Sequence, residues 1–246
     1  MCIRDRSGMV ESFSFTSLAE KILSTEGGAA VQTLSDAGRA VLVRRALEEL
    51  QDNVHYYHRH RRSAAFCQMA AQTIDELKSA GLSGQQLAQL AGACGAESGK
   101  LSELALIFQG YETLLARSGM DPSDRLELAG ARLEEALARH SLPEFLRDRA
   151  VFIDEFDTFN APKKRLLGAM LAALPSVTVA LCDDGAPLLP GDLSLFSGAK
   201  QVAAQLRQLA RKNGAEVAVP QLLRKDLRHR NAPGLAAVSY THLRAH

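Results

Sequence analysis

At 246 residues, with 46% hydrophobic and 23% charged side chains, the chain has the make-up of a globular protein, long enough for one large domain or two small ones. A formal charge of +1 excludes a uniformly basic nucleic-acid binder, so any contact with DNA must come from local patches. No apolar run reaches the length of a helical membrane span and no basic-then-apolar leader is present, so no membrane partner is expected.

The two ends stand apart from the rest. Met1-Cys2-Ile3-Arg4-Asp5-Arg6-Ser7 and Ser239-Tyr240-Thr241-His242-Leu243-Arg244-Ala245-His246 carry neither a helical nor a strand period. Both resemble translated sequencing adapter at the ends of a metagenomic reading frame. Residues 1–7 and 239–246 are therefore expected to be non-native, and the chain to be a fragment. Outside them the thiols are Cys67, Cys94 and Cys182, widely spaced and without a CxxC pair, which reads as free thiols in a reducing cytoplasm.

In chain order, Val10-Glu11-Ser12-Phe13-Ser14-Phe15 alternates apolar and polar residues and predicts a strand. Thr16-Ser17 then lead into a helix through Leu18, Ala19, Ile22 and Leu23 that stops at Gly27-Gly28. Ser35-Asp36 predicts the N-cap of a helix to about Leu50, with Val41, Leu42, Leu47 and Leu50 on one side. The run Asn53-Val54-His55-Tyr56-Tyr57-His58-Arg59-His60-Arg61-Arg62 reads first as a solvated basic connector and second as a phosphate-contacting patch. A metal site comes third, because no acidic or Cys ligand lies beside the histidines and the Arg side chains repel a cation.

From about 63 to 140 the pattern is helical throughout. Phe66, Met69, Ala70, Thr73, Ile74 and Leu77 follow the i, i+3, i+4, i+7 rule, with Gly81 as a stop. Ser83 predicts the cap of a short helix carrying Leu87 and Leu90; Leu101, Leu104, Phe108, Tyr111 and Leu115 mark another that ends at Gly119. Asp121-Pro122, with Asp124 at N3, restarts the chain as a helix through Leu126, Ala129, Leu133 and Leu137. The Gly99-Lys100 pair inside this region is not a phosphate loop: Cys94 stands where the motif needs Gly, and Leu101 where it needs Ser or Thr.

After Pro143 strands return. Ala150 to Ile153, a helix from Pro162 to Leu174, a strand Val177-Thr178-Val179-Ala180-Leu181-Cys182, a helix capped by Ser197 and a last strand at 216–219 predict βαβ units in a parallel sheet. The fold class expected is α/β, with the α/β unit interrupted by a large all-helical insertion. Val151-Phe152-Ile153 reads as a strand buried on both faces, running into Asp154-Glu155. Carboxylates at such a strand end sit where open α/β sheets bind ligands. There an Asp can order Mg²⁺ and the next Glu can polarise an attacking water. Taken alone, the plainer reading stands ahead of it: an Asp and a Glu bonded to the backbone of a tight turn, since short motifs match by chance. Asp183-Asp184 before Gly185 reads as turn-forming, with a contribution to a site as the alternative.

Taken together, this order resembles the N-terminal region of the B subunit of AddAB-type ATP-dependent helicase/nucleases, relatives of RecBCD and of UvrD-like superfamily-one helicases. The resemblance runs through Val10 to Ala19, Leu104-Ala105-Leu106-Ile107-Phe108-Gln109-Gly110-Tyr111-Glu112, Met120 to Leu128, the Walker B-like strand Val151 to Phe159, Leu195-Phe196 and Glu216 to Pro220. It implies a P-loop-helicase-like domain over 8–55 and 148–238, the latter reaching into a following linker, interrupted by a 1B-like helical insertion over 56–147. It implies a cytoplasmic hydrolase of DNA repair and recombination that resects double-strand breaks with helicase and exonuclease activity. ATP and Mg²⁺ are its cofactors, single-stranded DNA its threaded substrate, and the helicase/nuclease A subunit its heterodimer partner. In many members of that family a C-terminal nuclease domain, outside this sequence, carries an iron–sulfur cluster, and the phosphate loop is outside it too.

Carried over position by position, Asp154 matches the Mg²⁺- and nucleotide-facing Asp and Glu155 the catalytic Glu. Many B subunits carry Gly at that second position, which goes with a degenerate motor. Ser14 and Thr16 fall near the segment that touches the DNA backbone, where hydroxyls position phosphates rather than read bases; capping of the local turn is the equal alternative. Arg224, Lys225, Arg228, His229 and Arg230 form a basic run that reads as a solvated linker or as an approach to the DNA channel. Two other accounts stand beside this one: a fragment of an active superfamily-one motor, and a non-enzymatic α/β-plus-helical interaction module.

Overall fold

Ser14 opens the first regular element. In the structure, a computed structural model that describes residues 10–95 and 98–222, the Ser14 hydroxyl accepts the Ser17 N–H at 3.1 Å, and the Ser17 hydroxyl accepts the Ser14 N–H at 2.8 Å. This reciprocal cap starts helix α1 (Phe15–Glu26). The strand expected over 10–15 is therefore absent: residues 10–14 form no regular element and Phe15 is already helical. Six alternating residues suit either state, and a strand forms only where a partner strand is at hand. The two adapter-like tails and the basic run from Arg224 to Arg230 lie outside the described residues.

The described residues are mostly helical, with one small parallel sheet, consistent with an α/β class. Apolar side chains gather into two cores. The first is built from α1, α6 (Pro122–Ala138), α7 (Ala161–Ala173) and α8 (Ser197–Lys212) around strands β1 (Ala150–Ile153) and β2 (Ser176–Val179), with Ile22, Leu23, Leu133, Leu166 and Leu167 sealed at its centre. The second joins α2 (Asp36–Glu49), α3 (Ala64–Ser79), α4 (Gly84–Ala91) and α5 (Ser98–Ser118) around Val43, Leu47, Ile74, Phe108 and Tyr111. Sealing each such side chain contributes about 1.5–3 kcal/mol.

Among the described residues, bonds around the start of α6 and the loop after α1 bring the cores together. Within the first core Arg125 of α6 grips the Glu20 carboxylate of α1 through Nε and a second guanidinium nitrogen, and it donates from its third to the Val31 carbonyl in the loop between α1 and α2. Where α5 ends, Met120 N–H donates to Gln32 O at 3.0 Å and Leu34 N–H to Met120 O at 3.0 Å. Gly119 makes that approach feasible: its φ is 154°, and a Cβ there would stand 2.6 Å from the Gln32 oxygen. The Tyr111–Asp121–Lys78 cluster at the start of α6 also links the two cores.

Strands β1 and β2 pair in parallel, with Val151 opposite Val177 and Ile153 opposite Val179, and α7 carries the crossover. Val151, Ile153, Val177 and Val179 face the first core. The opposite face does not carry a second layer among the described residues, and Phe152 is 76% exposed. This corrects the expectation of a strand buried on both faces. A continuous apolar run shows that both faces are suited to burial, not that both are covered. Residues 216–219 join no ladder, so the last expected strand is not formed. Ser197 is the first helical residue of α8, not its cap, a place taken by Phe196.

A candidate site at the carboxyl end of β1

The chain leaves β1 at Ile153, whose carbonyl still accepts the Ala180 N–H at 2.9 Å, and turns at once. Asp154 Oδ1 accepts the N–H of Glu155 at 2.9 Å, and Glu155 takes a left-handed backbone with φ 65°. Both carboxylates are exposed. The far end of the turn is fixed where Asn160 caps α7, its Oδ1 accepting the Lys163 N–H at 3.1 Å, with Pro162 in the first turn.

Between those ends Phe156 and Phe159 fold back onto α1. The Phe15 ring meets Phe156 edge-on at 5.0 Å and Phe159 at 6.0 Å. Lys163 Nζ stands 5.6 Å over Phe15 and 5.4 Å over Phe156, within reach of a cation–π attraction. The fold thus brings the acidic turn to the start of α1, where Ser14 and Thr16 flank Phe15 and are both exposed. Ser14 spends its hydroxyl on the cap of α1; Thr16 lies in the first helical turn.

Two of the sequence readings meet here in physical form. The Asp154 carboxylate does bond to the backbone of its own turn, yet it also stands exposed at a parallel strand tip. Mg²⁺ is commonly held by one or two carboxylates plus substrate phosphates, not by an all-protein cage, and the Asp154–Glu155 pair has that composition. Among the described residues, no three His, Cys, Asp or Glu side chains gather as a metal site.

Asp183 and Asp184 form successive turns, accepting the N–H groups of Gly185 at 3.1 Å and Ala186 at 2.9 Å. Lys200 of α8, itself buried, reaches Asp184 at 2.9 Å and Asp192 at 3.7 Å, and its ammonium holds the Asp184 carboxyl below the usual range. Neither Lys200 nor Lys163 stood out in the sequence. A lysine in a helix carries no mark of what it will face, and the Phe15–Phe156 contact joins segments more than a hundred positions apart.

The family model described as ADDB, N-terminal, matches residues 4–239. The chain is 33% identical over 239 residues to the B subunit of the ATP-dependent helicase/deoxyribonuclease of Desulforudis audaxviator, a match covering 94% of this chain and 20% of that protein. It is 31% identical over 242 residues to the protein of the same name from Symbiobacterium thermophilum, covering 92% and 20%. With that of Moorella thermoacetica the identity is 32% over 249 residues, covering 96% and 20%. The chain therefore spans about a fifth of the length of the curated relatives it matches.

Proposed function

This chain belongs to the family of ADDB N-terminal regions, and on that premise we propose that it is part of the B subunit of a helicase/nuclease. The parent protein processes double-stranded DNA breaks for recombinational repair, in the cytoplasm and in complex with the helicase/nuclease A subunit. ATP and Mg²⁺ serve the motor side, and an iron–sulfur cluster, where there is one, belongs to a nuclease domain outside this chain. The first core is the helicase-like unit and the second the inserted helical unit. Packing supports counting α2 with the insertion and α6 with the helicase-like unit, which moves the division from positions 55 and 147 to the loops before α2 and after α5.

One observation carries the site reading: an exposed Asp-Glu pair at the tip of a parallel strand, held against the start of α1 by Phe15, Phe156 and Phe159. Asp154 is the residue that would hold Mg²⁺ together with nucleotide phosphates, and the ion would neutralise phosphate charge there. Glu155 would orient water, and Ser14 and Thr16 would meet the DNA backbone. A second reading, in which the parent motor hydrolyses ATP, is favoured by Glu155 itself, a carboxylate where many B subunits resembling this chain carry Gly.

The 246 residues contain no GxxxxGK[ST] sequence to cradle the β- and γ-phosphates, and positioning is most of phosphoryl-transfer catalysis. The purified chain is therefore expected to show no steady ATP turnover; turnover abolished by Asp154→Asn would refute that. The parent protein, co-expressed with its A subunit, is expected to degrade linear duplex DNA only with ATP and Mg²⁺. A complex that leaves linear duplex intact under those conditions overturns the proposal.

A further inference from the structure

The connector between α2 and α3 is a built surface. Val54 is buried, and the Glu103 carboxylate of α5 collects three successive backbone N–H groups: His55 at 2.9 Å, Tyr56 at 2.8 Å and Tyr57 at 3.2 Å. Burial works against that carboxylate's charge, but the donors from Tyr56, His55 and Tyr57 outweigh it and hold the carboxyl below its ordinary range. The turn so fixed lays out a row of rings. Tyr57 stacks on Phe66 at 5.4 Å and 29°, His60 lies over Phe66 at 5.5 Å and 30°, and Tyr56 abuts Tyr57 at 5.9 Å.

Together with Met69 these rings line an open cavity of about 410 Å³. By spacing, Phe66 and Met69 belong to the buried stripe of α3, yet Met69 is 55% and Tyr56 59% exposed. Positions 53–62 hold three Arg and three His and no acid; Arg59 and Arg62 are exposed, and Lys100 Nζ lies 5.2 Å over the Tyr56 ring. The Glu103 carboxylate beneath is occupied by the turn's own N–H groups. An apolar aromatic floor inside a cationic rim is complementary to a ligand with flat faces and a polyanionic backbone.

We propose that this shelf is a stacking platform for the bases of single-stranded DNA, with Arg59 and Arg62 following the phosphates. Unpaired bases present their faces to rings such as Tyr56, whereas a duplex hides them in its stack. The inference rests on the DNA-processing reading above and adds to it a contact surface on the second core, away from the β1 turn.

Binding of the whole 246-residue chain to fluorescein-labelled oligothymidylate, followed by anisotropy, tests it. Tyr56→Ala, at a largely exposed side chain, is expected to weaken binding about tenfold, the loss of one stacked base, with an unchanged melting midpoint. An abasic oligomer of equal length and charge is expected to bind the parent chain and Tyr56→Ala alike. Arg62→Gln is expected to weaken binding to both oligomers and to flatten the dependence of log affinity on log salt by about 0.7. Salt-sensitive binding that Tyr56→Ala leaves within about twofold overturns the platform and leaves the DNA-processing reading standing. No binding of oligothymidylate by the unmutated chain overturns the platform outright, while degradation of linear duplex by the parent complex reports on the broader reading independently.

Discussion

The Tyr111 hydroxyl donates a 2.6 Å hydrogen bond to Asp121 Oδ1, and both side chains are only 1% exposed. Tyr111 belongs to the second core, while Asp121 begins α6 of the first, so the bond crosses the seam between them. Lys78 of α3 joins it, reaching Asp121 Oδ2 at 2.9 Å and Asp124 Oδ2 at 2.7 Å. Burial raises the Tyr111 pKa and the Asp121 carboxylate raises it further, so the phenol stays a donor at any ordinary pH. Burial opposes the Lys78 charge, but Asp124 and Asp121 hold that ammonium above its ordinary range.

Removing the donor and removing the acceptor should therefore differ. Tyr111→Phe is expected to cost about 1.5–3 kcal/mol, the contribution of a hydrogen bond to a charged group. Asp121→Ala is expected to cost about 3–5 kcal/mol, because it leaves the Lys78 ammonium with only Asp124 in a largely buried place. Urea unfolding followed by circular dichroism measures both; equal costs for the two variants would contradict this account of the seam.

Glu155 occupies a left-handed backbone that costs a side-chain-bearing residue about 1–2 kcal/mol. Glycine adopts it freely but loses more chain entropy on folding, about 0.5–1 kcal/mol. Glu155→Gly is thus expected to range from neutral to stabilising by about 1.5 kcal/mol, and Glu155→Val, β-branched at positive φ, to be clearly destabilising. Thermal melts of the two variants give the order. A Gly variant that melts below the Val variant would mean that the Glu155 side chain, and not its backbone, holds the turn.

Phe152 projects from the sheet face that no described element covers. An exposed aromatic beside free strand edges invites edge-to-edge association. Phe152→Ser is expected to lower self-association in sedimentation velocity, with stability in urea changed by no more than about 0.5 kcal/mol. A large loss of stability would show that this face is packed in solution.

Local signals carried much of the fold. Asp121-Pro122 marked the start of α6, Ser35-Asp36 the start of α2, and the β-branched runs before Asp154 and Asp183 the two strands that pair. Each is a matter of a few neighbouring residues. What a stripe will face is set elsewhere in the chain. The stripes of α2 and α6 look alike in sequence, yet α2 packs with α3 and α5 whereas α6 packs with α1 and α7. The same holds for the site. Asp154 and Glu155 stood out because a strand tip and a turn are local, while the aromatic contact that brings α1 to them is not. The ring shelf at Tyr56 was hidden for another reason: its Phe66 and Met69 obey a core periodicity, yet Met69 is left exposed among the described residues.

The Glu103 turn gives a test by pH whose sign is fixed. A carboxyl held below its unfolded value contributes stability that is fully present above the ordinary carboxylate range and lost as pH falls through the folded value. The amides of His55, Tyr56 and Tyr57 donate to this group. They are expected to be protected from hydrogen exchange at neutral pH and to lose protection, after correction for intrinsic rates, only below the usual carboxylate range. Glu103→Gln has a single acceptor oxygen and no charge, so it imitates the acid form. With hydrogen bonds to a charged acceptor contributing about 1.5–3 kcal/mol, the variant's three amides should exchange at least about tenfold faster at neutral pH, with no further change on acidification. A Glu103→Gln variant whose three amides exchange at the rate of the unmutated chain at neutral pH would overturn this account of the turn.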